Sequence, residues 1–111
     1  MKTIYCSPYM CDCQTLPRSK AIKLQGRFDG KLGKKVIIIY DGSIYVDDLE
    51  DNSKESLGST NLKGNIDGLD DILERLKAVP LLIYNHTRKN VADKIIQKFL
   101  EINPEYAVNW I

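Results

Sequence analysis

The feature that most constrains the fold is the apolar run "LLIY", residues 81–84, which lies between two amphipathic helical patterns. Apolar side chains recur at helical spacing over residues 69–79, and Pro80 ends that pattern. After the run, "NVADKIIQKFLEI" repeats the helical spacing and "YAVNWI" closes the chain as a strand. A strand, a helix and a second strand usually pair in parallel. We therefore expect residues 82–84, buried on both faces, to pair in parallel with residues 107–110.

The first half of the chain predicts antiparallel strands. "KVIIIY" is rich in β-branched residues, which favour strands, and Asp41-Gly42 separates it from "SIYVDDL". Aspartate and glycine tolerate the positive φ that both central residues of a type I′ hairpin turn need. "AIKLQGRF", residues 21–28, alternates apolar and polar side chains, as a half-buried strand does. We expect a three-stranded meander over residues 21–49 and a long polar connection over residues 50–65.

Length and pattern together predict one domain, residues 1–111, of the α/β (α+β) class. The expected architecture is a mixed sheet of five to six strands with two main helices, in which an antiparallel N-terminal meander precedes a parallel β-α-β unit. A short strand over residues 3–7, which Pro8 ends, would complete the sheet.

Charge and hydropathy restrict the possible partners. The formal net charge is +1, so no global field attracts the chain to nucleic acid or to an anionic membrane, and any such affinity needs a local patch. No apolar run approaches the roughly 18 residues of a membrane span. The start "MKTIYCSPYM" lacks the apolar stretch of a secretory signal. We therefore expect a cytoplasmic protein with no membrane partner.

The candidate site is the polar stretch "NHTRKN", residues 85–90, between the apolar run and the second helix. A loop that follows a parallel strand and precedes a helix is the usual ligand position. The helix start favours an anion, because its first N–H groups lack internal partners and the macrodipole is positive there. The expected ligand-binding residues are Asn85, Thr87, Arg88, Lys89 and Asn90.

Two alternatives for this loop stay open. Asn90 with Asp93 approximates a capping box, so the polar residues could serve only the helix start. His86, the only histidine, is the candidate catalytic residue because histidine exchanges a proton close to neutrality. Spacing assigns it no partner carboxylate or nucleophile, so the sequence leaves open whether a reaction is catalysed.

The three cysteines, Cys6, Cys11 and Cys13, lie within eight residues of one another. In a reducing compartment they are expected to be free thiols. With His86 they could form a Cys₃His zinc site, but the C-x₄-C-x-C spacing differs from the usual zinc knuckle. We therefore predict no metal ligands, and the sequence identifies no cofactor.

Two further clusters have a solvent-exposed interpretation and a functional one. Acidic residues near turns and on the first helical pattern, among them Asp47, Asp70 and Asp71, could bind Mg²⁺, although charged helix faces are commonly solvated. A lysine-rich turn over residues 31–35, next to strands that carry aromatic residues such as Tyr40 and Tyr45, could stack single-stranded nucleic acid. Such lysines more often protect a sheet edge.

The order strand, strand, strand, helix, strand, helix, strand resembles the ribonuclease H-like fold. "VIIIYDGS" is similar to the first strand of that superfamily, whose turn carries a metal-binding aspartate, here Asp41, and "STN" with "LDDILERLKA" is similar to its first helix. An alignment on Asp41 lacks one strand, whereas an alignment on Asp29 has the full count. Asn65, Asn85 and His86 occupy positions where carboxylates are expected. The resemblance therefore implies the fold but not an active two-metal nuclease.

The chain also resembles the small viral nucleases that degrade cyclic oligoadenylates. Those proteins begin with a short strand and a proline-bearing loop, as "TIYCSPYM" to "TLP" does here. They place a histidine between a strand and a helix, as "IYNHT" does with His86. The resemblance implies a role for the same loop as the physical argument.

We expect a protein that binds a phosphate-bearing ligand, a nucleotide or nucleic acid, at residues 85–90. The rival expectation is a non-catalytic protein-interaction or inhibitory accessory protein, such as one of a virus or mobile element. The short chain and its incomplete set of catalytic residues suit that class. The partner would then be another protein.

Overall fold

A computed structural model describes residues 2–10, 16–61 and 63–111. In this part of the chain, seven strands form one mixed sheet in the order β5-β4-β3-β2-β6-β1-β7. The elements in chain order are β1 (Lys2–Tyr9), α1 (Pro17–Arg27), β2 (Lys35–Tyr40), β3 (Ser43–Asp48), β4 (Lys54–Thr60), β5 (Ile66–Asp67), α2 (Leu69–Ala78), β6 (Leu81–Asn85), a 3₁₀ turn (His86–Arg88), α3 (Lys89–Ile102) and β7 (Tyr106–Trp110).

The predicted fold class is confirmed, with more elements than expected. Strands β2, β6, β1 and β7 are parallel to one another, and β3, β4 and β5 continue the sheet as an antiparallel meander. The hairpin between β2 and β3 turns at Asp41 and Gly42, whose φ values are 49° and 82°. Both values are positive, as the predicted type I′ turn requires.

The predicted strand over residues 21–28 is wrong, because this segment is the body of α1. Ala21, Leu24 and Phe28 are spaced at i, i+3 and i+7, so the pattern that alternates along a strand also fits one helical face. Pro17 occupies the first turn, where its fixed φ favours helix initiation. Ile22, which counted as an inward-facing strand residue, is 52% exposed.

The predicted polar connection over residues 50–65 is also wrong, because β4 lies within it and completes the meander. Leu57 is the buried apolar residue of this strand, which pairs with β3 through an irregular register near Ile44 and Tyr45. A polar strand of this kind, between β3 and the short outer strand β5, is held by its neighbours rather than by its own pattern.

The predicted pairing of residues 82–84 with residues 107–110 is wrong, although both segments run in the same direction. β1 lies between β6 and β7, with Tyr5 opposite Leu81 and Ile4 opposite Val108. β1 also extends beyond the predicted residues 3–7, through Pro8 to Tyr9. Its side chains are buried on both faces of the sheet, which makes it a central strand rather than a terminal addition.

The two faces of the sheet carry separate cores. On the first, here called the two-helix face, α2 and α3 cover a cluster that includes Ile4, Cys6, Ile37, Ile39, Leu82 and Tyr84. On the second, the one-helix face, only α1 among the described helices contributes, and it covers Tyr9, Val36, Ile38, Leu81 and Ile83. α1 contributes Ala21 and Leu24 to that core.

Candidate ligand-binding site at the carboxyl edge of the parallel strands

The carboxyl ends of β1 and β6 meet at a point where the chain leaves the sheet in two directions. β1 leads to α1 on the one-helix face, and β6 leads to α3 on the two-helix face. Neighbouring parallel strands whose connections leave to opposite faces open a crevice at their carboxyl ends, and such crevices hold ligands in open α/β sheets. The predicted loop, residues 85–90, borders this crevice.

His86 lies across the crevice from β1. Its side chain is exposed, and its Nδ1 is 3.3 Å from the carbonyl oxygen of Tyr9. A carbonyl oxygen only accepts hydrogen bonds, so this contact requires the proton on Nδ1. In the neutral ring Nε2 is then left as an acceptor, and in the protonated ring it is a donor. The contact joins the two diverging connections and fixes one side of the imidazole.

Asn85 and Thr87 serve the local backbone. Asn85 is buried, and its Oδ1 accepts hydrogen bonds from the Thr87 backbone N–H at 3.0 Å and from the Thr87 hydroxyl at 2.9 Å. These bonds cap the 3₁₀ turn that precedes α3. The predicted capping box is wrong, because α3 begins at Lys89 and Asn90 is its second residue. A capping role exists, but Asn85 carries it.

Arg88 and Lys89 differ in how far their charges are used within the fold. Lys89 forms an ion pair with Asp93, and its Nζ lies 3.9 Å from the centroid of the Trp110 ring. Arg88 is half-buried, and its Nη1 is buried with no hydrogen-bond partner among the described residues. A guanidinium nitrogen is rarely left in that state. Of the two cations, Arg88 is therefore the one with unused capacity for an anion.

A cleft of about 470 Å³ on the one-helix face reaches this edge at Tyr9 and Tyr40 and extends along β3 to Asp47, which lies opposite Val36 near the amino end of β2. It lies between the start of α1 and the strands β1 to β3, and its walls include Tyr9, Arg18, Tyr40, Tyr45, Asp47 and Lys54. Small-molecule sites commonly have volumes of about 300–1,000 Å³, mostly apolar walls and a few polar groups. Tyr9 ends β1 and Tyr40 ends β2, so the cleft adjoins the crevice beside β6.

Asp47 and Arg18 form the charged part of the cleft. The Asp47 side chain is only 3% exposed, and its Oδ1 lies 3.6 Å from Arg18 Nη1. That oxygen has no hydrogen-bond partner among the described residues. Arg18 Nη2 donates instead to the carbonyl oxygen of Leu49 at 2.9 Å. The carboxylate is thus neutralised by a nearby charge but keeps an unused acceptor.

Three tyrosines form the aromatic part. The rings of Tyr9 and Tyr40 are nearly parallel, with centroids 6.3 Å apart, and the Tyr9 hydroxyl donates to the carbonyl oxygen of Ile39. Lys54 Nζ lies 5.0 Å from the centroid of the Tyr45 ring. Burial, followed by the charge of Asp47, raises the pKa of Tyr45 above its ordinary value. Tyr45 is two residues from Asp47 on the same face of β3, whereas Tyr9 and Tyr40 line the end of the cleft at the carboxyl edge.

The sequence pointed to only part of this site. In the sequence, Tyr40 and Tyr45 are aromatic neighbours of a basic turn, and Asp47 is one of several acids near turns, whereas the structure buries Asp47. No sequence pattern marks Arg18 or Tyr9. Both became recognisable only through the strand order, because Tyr9 ends a parallel strand and Arg18 lies in the first turn of the helix that follows.

The structure tests the cysteine and metal alternatives only in part. Cys6 is a buried free thiol on the two-helix face, and burial raises its pKa to about 12. Cys11 and Cys13 lie outside the described residues. Within residues 2–10, 16–61 and 63–111, no three His, Cys, Asp or Glu side chains are grouped as metal ligands. In the same ranges, no helix combines the length and apolar character needed to cross a membrane.

Comparison of the chain with family models, curated proteins and solved structures gives no match. The resemblances to the ribonuclease H-like fold and to the viral nucleases therefore stay predictions. The candidate function rests on the site itself.

Proposed function

We propose that this protein binds a phosphate-bearing ligand of the nucleotide class at the crevice between the carboxyl ends of β1 and β6. The observation that carries the proposal is the buried Nη1 of Arg88, which has no hydrogen-bond partner among the described residues and belongs to the turn that follows β6. Phosphate oxygens are strong acceptors that pair well with guanidinium groups. A bound phosphate would give this nitrogen the partner it lacks.

The roles within the loop follow from the contacts. Arg88 supplies the charge, and His86 offers Nε2 to the ligand while Nδ1 faces Tyr9. Asn85 and Thr87 hold the turn in shape through their mutual hydrogen bonds, so they act on the ligand by positioning the backbone. Lys89 has no direct contact with the ligand, since Asp93 and Trp110 already hold its amine.

The test is a calorimetric titration with guanosine and adenosine monophosphates and with short oligonucleotides. Arg88→Ala should weaken the binding of phosphate-bearing ligands by about tenfold or more, since a hydrogen bond to a charged group contributes about 1.5–3 kcal/mol. Arg27→Ala is the matched control, because Arg27 is an exposed arginine at the far end of α1. Equal affinities for Arg88→Ala and the parent protein, or no binding by the parent, would refute the proposal.

A second candidate function is a protein-interaction role, which β7 favours. β7 is an outer strand of the sheet, and Trp110 at its end is 40% exposed. An outer strand can accept an extended peptide from a partner as an additional strand. Crosslinking in lysate should then capture a defined protein with the parent chain and lose it with Trp110→Asp. Capture that is identical for the two chains would exclude this use of β7.

A further inference from the structure

The cleft on the one-helix face contains an acceptor that the fold leaves unused. Asp47 Oδ1 is buried, and its nearest charged neighbour, Arg18 Nη1, lies at 3.6 Å, which is longer than a hydrogen bond. A buried carboxylate oxygen without a hydrogen bond is costly, so natural structures rarely retain one without a reason. A ligand that brings N–H donors to this carboxylate would remove that cost.

The same cleft has walls that suit a flat ring. Tyr9 and Tyr40 present nearly parallel rings, and Tyr45 lies on the neighbouring strand with Lys54 over it. Aromatic side chains bind planar heterocycles by stacking, with little dependence on which heterocycle is bound. The stacking surfaces therefore predict a planar ligand. Selectivity among planar ligands depends on the hydrogen-bonding groups of Asp47 and Arg18.

Asp47 and Arg18 present an acceptor beside a donor. The guanine ring carries the complementary pattern on one edge, where N1–H and the 2-amino group are donors next to the O6 acceptor. Uracil offers one donor between two carbonyl oxygens, which a carboxylate repels. Adenine offers its amine beside a ring-nitrogen acceptor, so it can satisfy one carboxylate oxygen at most.

We propose that this cleft binds a guanine-type ring, with Asp47 accepting from N1–H and the 2-amino group, Arg18 donating to O6, and the tyrosines stacking on the ring. The inference deepens the proposed function and rests on it in one respect, because the ring would belong to the nucleotide whose phosphate meets Arg88. Tyr9 joins the two parts, since its ring lines the cleft while its carbonyl oxygen faces His86.

The experiment titrates nucleosides without phosphate and follows binding by NMR. Guanosine should bind at least tenfold more tightly than uridine, adenosine or inosine, which lacks the 2-amino group. Asp47→Asn should weaken guanosine binding by about tenfold or more and abolish the preference over inosine, because hydrogen bonds to an ionised carboxylate are stronger than those to a neutral amide. Asp71→Asn, an exposed carboxylate on α2, is the matched control and should leave both affinities unchanged.

A second variant keeps the inference testable if Asp47→Asn does not fold. Tyr40 is 37% exposed, so Tyr40→Ala should fold and should weaken guanosine binding several-fold through lost stacking. Guanosine binding that is no tighter than that of uridine or inosine, or that is unaffected by Tyr40→Ala, would overturn the inference. A preference for adenosine or cytidine would overturn it as well.

The two proposals fail in different ways. Arg88→Ala should leave guanosine binding unchanged and remove the additional affinity of guanosine monophosphate. If guanosine does not bind but guanosine monophosphate binds in an Arg88-dependent manner, the ring site is wrong and the phosphate site stands. If guanosine binds and its monophosphate gains nothing, the phosphate site is wrong.

Discussion

The two faces of the sheet are covered unequally. The two-helix face provides most of the sealed core, whereas the one-helix face leaves a cleft that can hold a ligand. On the two-helix face, α2 and α3 seal the strands, and Phe99, Ile72 and Leu76 are fully buried there. On the one-helix face, α1 covers one side of the strands and leaves the cleft beside Tyr40 and Tyr45. A sheet covered by one short helix on one face keeps room for a ligand without weakening the core on the other.

The largest expected effect is on the two-helix face. Phe99 is fully buried and contacts Tyr106 edge to face, with ring centroids 4.8 Å apart. Phe99→Ala should lower the free energy of unfolding by about 3–5 kcal/mol, because it removes the ring and leaves a cavity between α3 and the sheet. Urea unfolding followed by circular dichroism measures this loss. A loss below about 2 kcal/mol would contradict the sealed packing of this face.

A smaller loss is expected from the matched position on the other face. Leu24 belongs to α1 and is buried in the core of the one-helix face, which is the smaller of the two cores. Leu24→Ala should lower the free energy of unfolding by about 2–3 kcal/mol, the lower part of the range for such truncations. The same urea experiment compares the two variants directly. If Leu24→Ala is the more damaging change, stability is not concentrated on the two-helix face.

The Cys6 thiol predicts a loss of stability at alkaline pH. Burial raises its pKa from 9.0 to about 12, so below pH 9 the thiol is protonated in both the folded and the unfolded chain. Above pH 9 only the unfolded chain releases this proton, and the folded state loses up to about 1.4 kcal/mol per pH unit until pH 12. Cys6→Ala should reduce the slope of stability against pH in this window. An identical slope in both proteins would show that the thiol is accessible.

The smallest effect on stability is expected at the open part of the one-helix face. Tyr40 ends β2 with an exposed ring, so Tyr40→Ala should change the free energy of unfolding by less than about 1 kcal/mol. The same variant should lose guanosine affinity, which separates the binding surface from the folding core. Thermal unfolding with and without ligand measures both quantities. A large loss of stability would instead assign the ring to the core.

Local signals in the sequence predicted the elements that local physics determines. The apolar stripes of α2 and α3, and Asp41-Gly42 between β-branched runs, specify their structures over a few residues, and all three are confirmed. The segment Pro17–Arg27 fits a strand and a helix about equally by pattern, so packing under the sheet decides it. β4 is too polar to be recognised apart from its neighbours.

The site was predictable only as far as one loop. The sequence predicted that residues 85–90 follow a buried strand, and in the structure this loop begins at the carboxyl end of β6. The separate roles of the loop residues could not be predicted, because the hydrogen bonds of Asn85 with Thr87 and the ion pair of Lys89 depend on the folded turn. The cleft was hidden for a different reason. It needs β1 inserted beside β6, and long-range strand order leaves no mark in a single sequence.

The most direct test of the central claim is an NMR titration of the parent protein with guanosine monophosphate. The claim is that the ligand binds in the cleft on the one-helix face, with its phosphate at the crevice between the carboxyl ends of β1 and β6. Amide signals of Tyr40, Tyr45 and Arg88 should shift together with one affinity, while signals of α2 stay unchanged. No shifts, or shifts confined to α2 and the two-helix face, would contradict it.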